Sequence, residues 1–248
     1  MEIIIGSSKI KGQASLKQKP YIRLLLHGGA RLASHNSAFH FASLNVMKDY
    51  GSDGEIIRQS VDTAEKIVNM INSQTDNTIQ SLDIFSHGGP GGLFFIKGAN
   101  TNTNITKEDV EEKNLNSSLY VGRTVKIFYG RDKSAESCTV QKINFSKFTK
   151  NSKIEMHGCQ TCYDMVVLDN MCEELSELLY KAGKTDSIVI GHEDKANPNI
   201  AGEGKTTNNQ QDYRHGKRNV FNNGKIIFTT TKKGRITVQE INAALEKK

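Results

Sequence analysis

The chain has 248 residues, of which 36% are hydrophobic and 24% are charged, and its formal net charge is +6. This composition is too apolar for a wholly disordered chain, and the length is sufficient for one large domain with a buried core. No run approaches the roughly 20 apolar residues of a membrane-spanning helix, so we expect no membrane span. The first residues lack the basic and apolar stretches of a secretory signal, which predicts a cytoplasmic protein or one delivered without a conventional signal peptide.

The cysteines and the basic residues exclude two further classes. A disulfide-stapled secreted fold contains a much higher density of cysteine, so free thiols are expected at Cys138, Cys159, Cys162 and Cys172. The basic residues form short scattered groups, including 214–218 and 232–235. Such groups are typical of solvated loops, and we do not expect a nucleic-acid partner. The sequence leaves the oligomeric state open.

The first half of the chain predicts alternating strands and helices. Residues 21–26 form an apolar run that is typical of a buried strand and leads into His27. Apolar residues at helical spacing predict an amphipathic helix over about 55–73. A strand of about eight residues then ends at His87, where glycines require a turn. The run 91–98 predicts a further short strand.

The middle of the chain predicts shorter elements. Thr106 and Asp109 have the spacing of a capping box, which predicts a short polar helix. Residues 119–130 predict a strand that a glycine interrupts. Residues 153–158 predict another short strand, and apolar residues at helical spacing predict a helix over about 161–182.

The C-terminal part predicts a strand, a loop, a hairpin and a helix. Residues 186–192 predict a buried strand, and 193–216 are an almost purely polar loop. A loop of this length in a compact domain is usually functional or mobile. Residues 219–231 predict a hairpin that turns through an Asn-Gly pair. Thr237 and Glu240 have the spacing to cap a last helix.

This order of elements predicts an α/β fold, in which helices flank a mainly parallel sheet on both faces. No internal repeat and no low-complexity linker is visible in the sequence. We therefore expect one domain over 1–248. Its core covers about 20–192, the polar loop 193–216, and a C-terminal hairpin and helix 217–248.

Three of the predicted strands end in similar motifs, LLLHGG, DIFSHGG and EMHGC. In open parallel sheets, ligands bind beyond the carboxyl ends of the strands, and glycine lets the backbone approach a substrate closely. We therefore expect four reactive residues to be neighbours in space, although they are distant in the sequence: His27, His87, His157 and Cys159.

Among these residues, Cys159 has the strongest case for a reactive role. It precedes the helix predicted over 161–182, and the partial positive charge of a helix N-terminus lowers the pKa of a thiol. Backbone N–H groups at such a junction can stabilise an oxyanion. Cys138 and Cys172 lack this setting, and Cys172 falls within the predicted helix, which indicates a packing role.

The motifs LDIFSHGG at 82–89 and IEMHGC at 154–159 resemble those of the caspase-like cysteine peptidases. This group includes caspases, legumain, clostripain, gingipain and the self-cleaving domains of large bacterial toxins. The order of strands and helices from about 20 to 192 also fits the fold of that group, so the resemblance extends over about two thirds of the chain.

The resemblance implies a caspase-like fold and a cysteine-type endopeptidase, which cleaves protein or peptide substrates through a thioester acyl-enzyme. Cys159 would be the nucleophile and His87 the general acid and base. The backbone N–H groups of Gly88 and Cys159 would stabilise the oxyanion. This mechanism requires no cofactor. The basic balance and polar loops fit a bacterial effector or toxin domain, and they fit a cytosolic protease equally.

By the same resemblance, the polar loop borders the pocket for the residue before the cleaved bond. Glu193, Asp194 and Asp212 in this loop would suit a Lys or Arg side chain of the substrate. Arg214 and the nearby Lys217 would suit an acidic side chain. The sequence does not choose between these two preferences.

Three further residues are candidates for substrate contact. Glu155 and His157 interrupt a strand that is usually a plain apolar run in the caspase-like family, and His27 ends the first strand. Glu155 would either face a basic substrate side chain or be bonded to its neighbours as a strand-edge carboxylate.

The main alternative enzyme is a dithiol oxidoreductase, because Cys159 and Cys162 form a C-x-x-C motif after a strand. The chain contains no Trp to precede the motif, and none of its three prolines follows the motif at a strand entry. Together with His157, the two cysteines would give three zinc ligands, but no second C-x-x-C supplies a fourth. We therefore predict no metal site.

A non-catalytic interpretation is a caspase-like binding module, whose basic loops would hold a protein or nucleic-acid partner. The presence of both His87 and Cys159 at suitable positions argues against it, because a scaffold needs neither residue.

Overall fold

The fold is given by a computed structural model, which describes residues 21–51, 54–107, 117–123, 139–165 and 169–247. The sequence predictions for Cys138, for Asp109 and for most of 119–130 fall outside the described residues.

The structure contains strands and α-helices in alternation along much of the described chain. The strands are β1 (Tyr21–His27), β2 (Gly54–Ser60), β3 (Ile79–Phe85), β4 (His87–Gly89), β5 (Gly92–Phe94), β6 (Leu119–Tyr120), β7 (Phe148–Met156), β8 (Ile188–His192), β9 (Arg218–Asn222) and β10 (Lys225–Thr230). The α-helices are α1 (Ala33–Met47), α2 (Ala64–Asn72), α3 (Met171–Lys181) and α4 (Val238–Leu245).

Seven of the strands form the central sheet, in the order β10-β9-β8-β7-β3-β1-β2. Strands β2, β1, β3, β7 and β8 are parallel, whereas β9 and β10 are antiparallel to their neighbours. The fold is therefore α/β with a mainly parallel sheet, as the order of elements predicted, and the C-terminal hairpin extends that sheet. Strands β4, β5 and β6 form a small antiparallel sheet of their own.

Helices cover both faces of the central sheet. Successive residues of a strand point to opposite sides, so neighbouring residues of β1 belong to different core clusters. Leu24 and Leu26 of β1 belong to one core cluster with residues of α2 and α3. Leu25 belongs to a second cluster with Phe39 and other residues of α1, and α4 packs against a third cluster that includes Ile190 of β8. Burial on both faces explains the apolar run Leu24–Leu26 in β1.

The helix predicted over about 55–73 is wrong in its first half. Gly54–Ser60 form β2, an edge strand that pairs in parallel with β1, and α2 begins at Ala64 after the Thr63 cap. Isoleucine fits a half-buried strand as well as it fits a helix. The pairing with β1, which is a tertiary contact, decides the outcome.

Helix α1 has no counterpart in the sequence prediction. Its buried residues include Asn36 and Ser43 beside Ala38 and Ala42, so the sequence shows no wide apolar stripe. The side chain of Asn36 accepts a hydrogen bond from the Ala30 N–H and donates one to the Ala30 carbonyl, both at 2.8 Å. These bonds hold the start of α1 beside the end of β1.

The helix predicted over about 161–182 begins later than expected, at Met171. Asn170 is its N-cap and accepts a hydrogen bond from the Glu173 N–H at 3.0 Å. Residues 159–162 form a turn instead, in which Gln160 has a φ of 52°. The prediction that Cys159 opens a helix is therefore wrong. The helix begins after the Asn170 cap, eleven positions further along the chain.

The C-terminal predictions are confirmed. The hairpin of β9 and β10 turns through Asn223 and Gly224, which have φ values of 50° and 72°, as a type I′ turn requires. Thr237 and Glu240 form the predicted capping box at the start of α4. The polar loop 193–216 contains only one short 3-10 helix, at Asn208–Gln210. No helix among the described residues is both long and apolar enough to cross a lipid bilayer.

Candidate active site

The ends of β3 and β7 lie side by side, because these two strands are neighbours in the parallel part of the sheet. Ile84 is paired with Met156, and the His157 N–H donates to the Ile84 carbonyl at 2.9 Å. The residues that follow the two strands therefore emerge at the same edge of the sheet. His87 follows β3 and Cys159 follows β7, so the sequence motifs meet as the strand-end rule predicts.

The two segments touch backbone to backbone. A Cβ atom on Gly88 would lie 3.2 Å from the Cys159 carbonyl oxygen and 3.3 Å from the Gly158 Cα. A Cβ atom on Gly158 would lie 3.1 Å from the Ser86 carbonyl oxygen and 3.2 Å from the Gly88 N atom. Side chains at these two positions would force the segments apart, so the glycines of the two motifs are what allows His87 and Cys159 to adjoin.

His87 is held between a strand and a helix. It is the first residue of β4, where it pairs with Phe94 of β5. Its Nε2 atom lies 2.9 Å from the Nδ1 atom of His35 in α1, and Phe39 of α1 packs edge-on against its ring with centroids 5.4 Å apart. Burial, and then repulsion from His35, lower the pKa of His87 to about 4. The imidazole is therefore neutral near pH 7.

A cleft of about 260 Å³ lies beside this imidazole. Residues of three segments line it: Gly29, Arg31, Leu32, His35, His87, Phe94 and Ile96. Apolar side chains and the two histidines share its walls, so the cleft has room for a substrate side chain next to a group that can transfer protons.

The thiol of Cys159 is partly exposed, and its Sγ atom lies 3.5 Å from the Ala196 carbonyl oxygen in the polar loop. The next N–H groups along the turn are bonded to the end of β8: Gln160 donates to the Asp194 carbonyl and Cys162 to the His192 carbonyl, both at 3.0 Å. Among the described residues, the Cys159 N–H has no backbone acceptor. This donor is thus available to an oxyanion.

Tyr213 of the polar loop closes the space between the thiol and α1. Burial, and then the nearby Cys159, raise the pKa of the Tyr213 phenol, so this phenol stays protonated. Its ring lies 5.7 Å from that of Phe39, which itself packs on His87. Phe39 and Tyr213 thus form a buried aromatic contact between α1 and the polar loop.

Glu155 of β7 is not available to a substrate. Its side chain is 5% exposed, and its two oxygens contact Lys153 at 2.7 Å and Arg218 at 3.1 Å. Burial alone would raise the pKa of Glu155, but Lys153, His157 and Arg218 outweigh it and hold the pKa well below the usual range. Of the two roles predicted for Glu155, the structure has the carboxylate bonded to its neighbours.

Asp83, Glu155 and His157 bring three potential metal ligands within 4.8 Å of one another. The Lys153 ammonium group lies 2.9 Å from Asp83 and 2.7 Å from Glu155, and it thus supplies the positive charge that two buried carboxylates need. Tyr50 also donates a hydrogen bond to Asp83. The carboxylates of the cluster are ion-paired, so its surroundings do not favour a cation, although the His157 Nδ1 atom has no hydrogen-bond partner among the described residues.

His157 and His27 are also enclosed by the fold. His157 is 1% exposed, stacks on Phe85 with ring centroids 4.0 Å apart, and contacts Asp83 at 3.2 Å. His27 is 4% exposed and packs edge-on against His40. Burial, and then the charge of Arg58, lower the pKa of His27 to about 3. The substrate contacts predicted for His157 and His27 do not fit this burial.

The acidic residues of the polar loop differ in whether their carboxylates are paired with a cation. Asp212 is buried and paired with Arg214 at 2.7 Å, and Glu193 forms a salt bridge with Lys217 at 2.6 Å. Asp194 is exposed, and its carboxylate has no salt-bridge partner in the described part of the chain. Of the predicted acidic substrate contacts, Asp194 alone therefore has a free carboxylate next to the Cys159 turn.

Cys162 of the C-x-x-C motif is 1% exposed and packs beside Cys172, which is fully buried. Burial, and then the contact with Cys162, raise the pKa of the Cys172 thiol. A Cβ atom on Gly191 would lie 2.5 Å from the Cys172 Sγ, which shows how tightly this region is packed. Cys162 is therefore placed as a core residue beneath the partly exposed Cys159, which disfavours a dithiol site.

Sequence reasoning missed His35 and Phe39 because it did not predict α1, and it missed Arg218 as the partner of Glu155. His35 and Phe39 are separated by four positions, a spacing that places two side chains on one face of a helix. That spacing was the available signal. No family model matches the chain, and a search of curated proteins found no match either.

Proposed function

We propose that the protein is a cysteine endopeptidase in which Cys159 is the nucleophile and His87 is the general acid and base. The observation that carries the proposal is the backbone contact of Gly88 with Gly158 and Cys159. It brings a partly exposed thiol and a neutral imidazole to the same edge of the sheet, with an unbonded Cys159 N–H beside them.

The reaction starts when His87 takes the proton of the Cys159 thiol as Sγ attacks the substrate carbonyl carbon. The carbonyl π electrons move to oxygen, and the N–H groups of Cys159 and Gly88 stabilise the oxyanion. When the C–N bond breaks, the His87 imidazolium gives its proton to the leaving amine. A thioester remains, and water activated by His87 hydrolyses it to a carboxylic acid and a free thiol.

The charges of the polar loop favour a protein or peptide substrate with a basic residue before the cleaved bond. Its backbone is tied to the Cys159 turn through Asp194 and lies against the thiol through Ala196. Since Asp212 and Glu193 are paired with cations, Asp194 is the carboxylate left to attract a Lys or Arg side chain.

We infer a reducing site of action, either the cytoplasm or a cell into which the protein is delivered. Cys159, Cys162 and Cys172 are free although two of them are in contact, and free thiols persist in reducing compartments.

The test is cleavage of a mixed peptide library by wild type, Cys159→Ala, His87→Ala and Cys162→Ala, with cut sites identified by mass spectrometry. Cys162→Ala is the matched control, because it removes a buried thiol three positions from the nucleophile. We expect no cleavage by Cys159→Ala, a loss of about 100-fold to 10,000-fold in kcat for His87→Ala, and activity in Cys162→Ala. The cut sites also report whether Lys and Arg are preferred.

Two outcomes would overturn the proposal. Cleavage by Cys159→Ala at the wild-type rate would exclude Cys159 as the nucleophile. Reduction of insulin disulfides by wild type, lost in both Cys159→Ala and Cys162→Ala and without peptide cleavage, would establish the dithiol alternative.

A further inference from the structure

His35 contacts His87 more closely than any other polar side chain among the described residues does. The Nδ1 atom of His35 lies 2.9 Å from the Nε2 atom of His87, and the two rings meet edge to face with centroids 4.9 Å apart. No carboxylate in the described part of the chain is hydrogen-bonded to the His87 ring. The partner that usually orients a catalytic histidine is therefore replaced here by a second imidazole.

We propose that His35 is a positioning residue, which fixes the orientation and the tautomer of His87 for proton transfer with Cys159. This inference rests on the proposed peptidase function, because it assigns a role within that reaction. It extends the Cys159–His87 pair to a third side chain that touches neither the thiol nor the reacting carbonyl.

The chemistry follows from the two atoms that meet. A hydrogen bond between two neutral imidazoles needs one N–H and one lone pair. When His35 carries its proton on Nε2, its Nδ1 accepts the Nε2–H of His87, and the Nδ1 of His87 keeps its lone pair. That Nδ1 makes no hydrogen bond to the described residues, so it is free to take the thiol proton. The opposite arrangement would place a proton on His87 Nδ1 and abolish the base.

The exposure of His35 is compatible with the productive arrangement. His35 is exposed to solvent whereas His87 is half-buried, so the Nε2–H of His35 can donate to water. The same bond persists after proton transfer, since the protonated His87 still donates its Nε2–H to His35. The His35 lone pair thus serves both protonation states of His87 during the reaction.

The fold holds both rings in place. The Ala33 N–H at the start of α1 donates to the side chain of Asn104 at 2.9 Å, and Asn36 is bonded to Ala30. Phe39 lies one helical turn after His35 and packs on the His87 ring. Pre-organisation of this kind is required for a positioning role, because a misplacement of about 1 Å can reduce a rate by about 100-fold.

Two substitutions at position 35 separate a hydrogen-bond role from a packing role. His35→Phe keeps an aromatic ring against His87 but cannot accept a hydrogen bond. His35→Asn places a carbonyl oxygen close to the position of Nδ1 and keeps the acceptor. His40→Phe is the matched control on the same helix, because His40 is bonded to Arg58 and does not contact His87.

We expect kcat for peptide cleavage to fall by about 10-fold to 100-fold in His35→Phe, with KM unchanged. His35→Asn should retain kcat to within about 3-fold of wild type, and so should His40→Phe. The unfolding temperatures of His35→Phe and His35→Asn should match that of wild type because His35 is exposed. If wild type cleaves peptides and His35→Phe cleaves them equally fast, the inference is overturned while the peptidase proposal stands.

A second measurement does not depend on cleavage. In protein labelled with ¹⁵N-histidine, with signals assigned from the spectrum of His87→Ala, His87 should carry its proton on Nε2 in wild type and in His35→Asn. The proton should be distributed over both nitrogens in His35→Phe. An unchanged tautomer in His35→Phe would overturn the inference. If wild type cleaves no peptide, the peptidase proposal fails, and the tautomer signal then decides the pairing on its own.

Discussion

The buried charges on one face of β3 and β7 differ from the reactive groups that follow the same two strands. Asp83 and Glu155 are enclosed, and both carboxylates contact Lys153. A few residues further on, the Cys159 N–H has no backbone acceptor, and the Nδ1 of His87 has no partner within the described residues. The buried carboxylates are thus ion-paired, whereas the partly exposed residues that follow the strands retain a free donor and a free acceptor in the part of the chain that the structure describes.

This difference indicates that burial and ion pairing, and not chemical type, distinguish the structural carboxylates from the residues that we propose to be reactive. Glu155, His157 and Cys159 occur within five consecutive residues, and the sequence made all three candidates. The fold buries the first two in contact with charged side chains and leaves the third partly exposed.

The largest expected effect on the free energy of unfolding comes from removing a buried ion pair. Arg218→Met removes a fully buried cation that binds Glu155 and the carbonyls of Lys232 and Gly234. We expect a loss of about 3–5 kcal/mol in the free energy of unfolding, because a buried carboxylate loses a partner. Denaturant unfolding of the purified protein measures it.

The neighbouring Lys217→Met is the matched control. Lys217 forms an exposed salt bridge with Glu193, and exposed pairs contribute less than about 1 kcal/mol. Equal losses in Arg218→Met and Lys217→Met would show that the buried network is not what stabilises this region.

The second effect is a loss of stability as the pH falls below 6.5. Burial, and then His157 and Arg218, lower the pKa of His192 to about 3, and that of His27 is also about 3. Between pH 6.5 and 3, these histidines bind protons in the unfolded chain but not in the folded one. Each therefore reduces the free energy of unfolding by about 1.4 kcal/mol per pH unit in that range.

Unfolding curves at pH 7.5, 6.5, 5.5 and 4.8 measure this slope. Asp83 and Glu155, whose pKa values are lowered, add to it only near and below their ordinary values of about 4, so the change above pH 5 reports the histidines. His192→Gln should reduce the slope by about 1.4 kcal/mol per pH unit. Parallel slopes for wild type and His192→Gln would contradict the assignment.

The smallest effect on the free energy of unfolding is expected for a substitution of Cys159, which follows β7. Cys159→Ala removes a partly exposed thiol whose one hydrogen bond is long, so the free energy of unfolding should stay within about 0.5 kcal/mol of wild type. Cys172→Ala, which removes a fully buried thiol, should cost about 1 kcal/mol or more. If Cys159→Ala proved the more destabilising, Cys159 would be a packing residue and the contrast between the two regions would not hold.

Much of the central sheet could be predicted because β1, β3 and β8 are largely buried and each contains several apolar residues. Capping and turn residues located α4 and the last hairpin. The misplaced elements are those with weak local signals. The edge strand β2 is half-buried, and α1 has a mixed buried face.

The candidate site was partly predictable for a similar reason. The strand-end motifs placed His87 beside Cys159, since parallel neighbours share an edge. The salt bridge of Glu155 with Arg218 could not be predicted from the sequence, because the two residues meet only through the pairing of β7, β8 and β9. His35 was missed together with its helix.

The sequence by itself determined the α/β class, the strand ends that carry His87 and Cys159, and the turn and cap residues, because these features depend on local composition and spacing. Only the tertiary structure decided which polar residues are satisfied. Burial and ion pairing depend on strands and helices that are distant in the chain, and those contacts enclose Glu155 and His157 while Cys159 remains partly exposed beside His87.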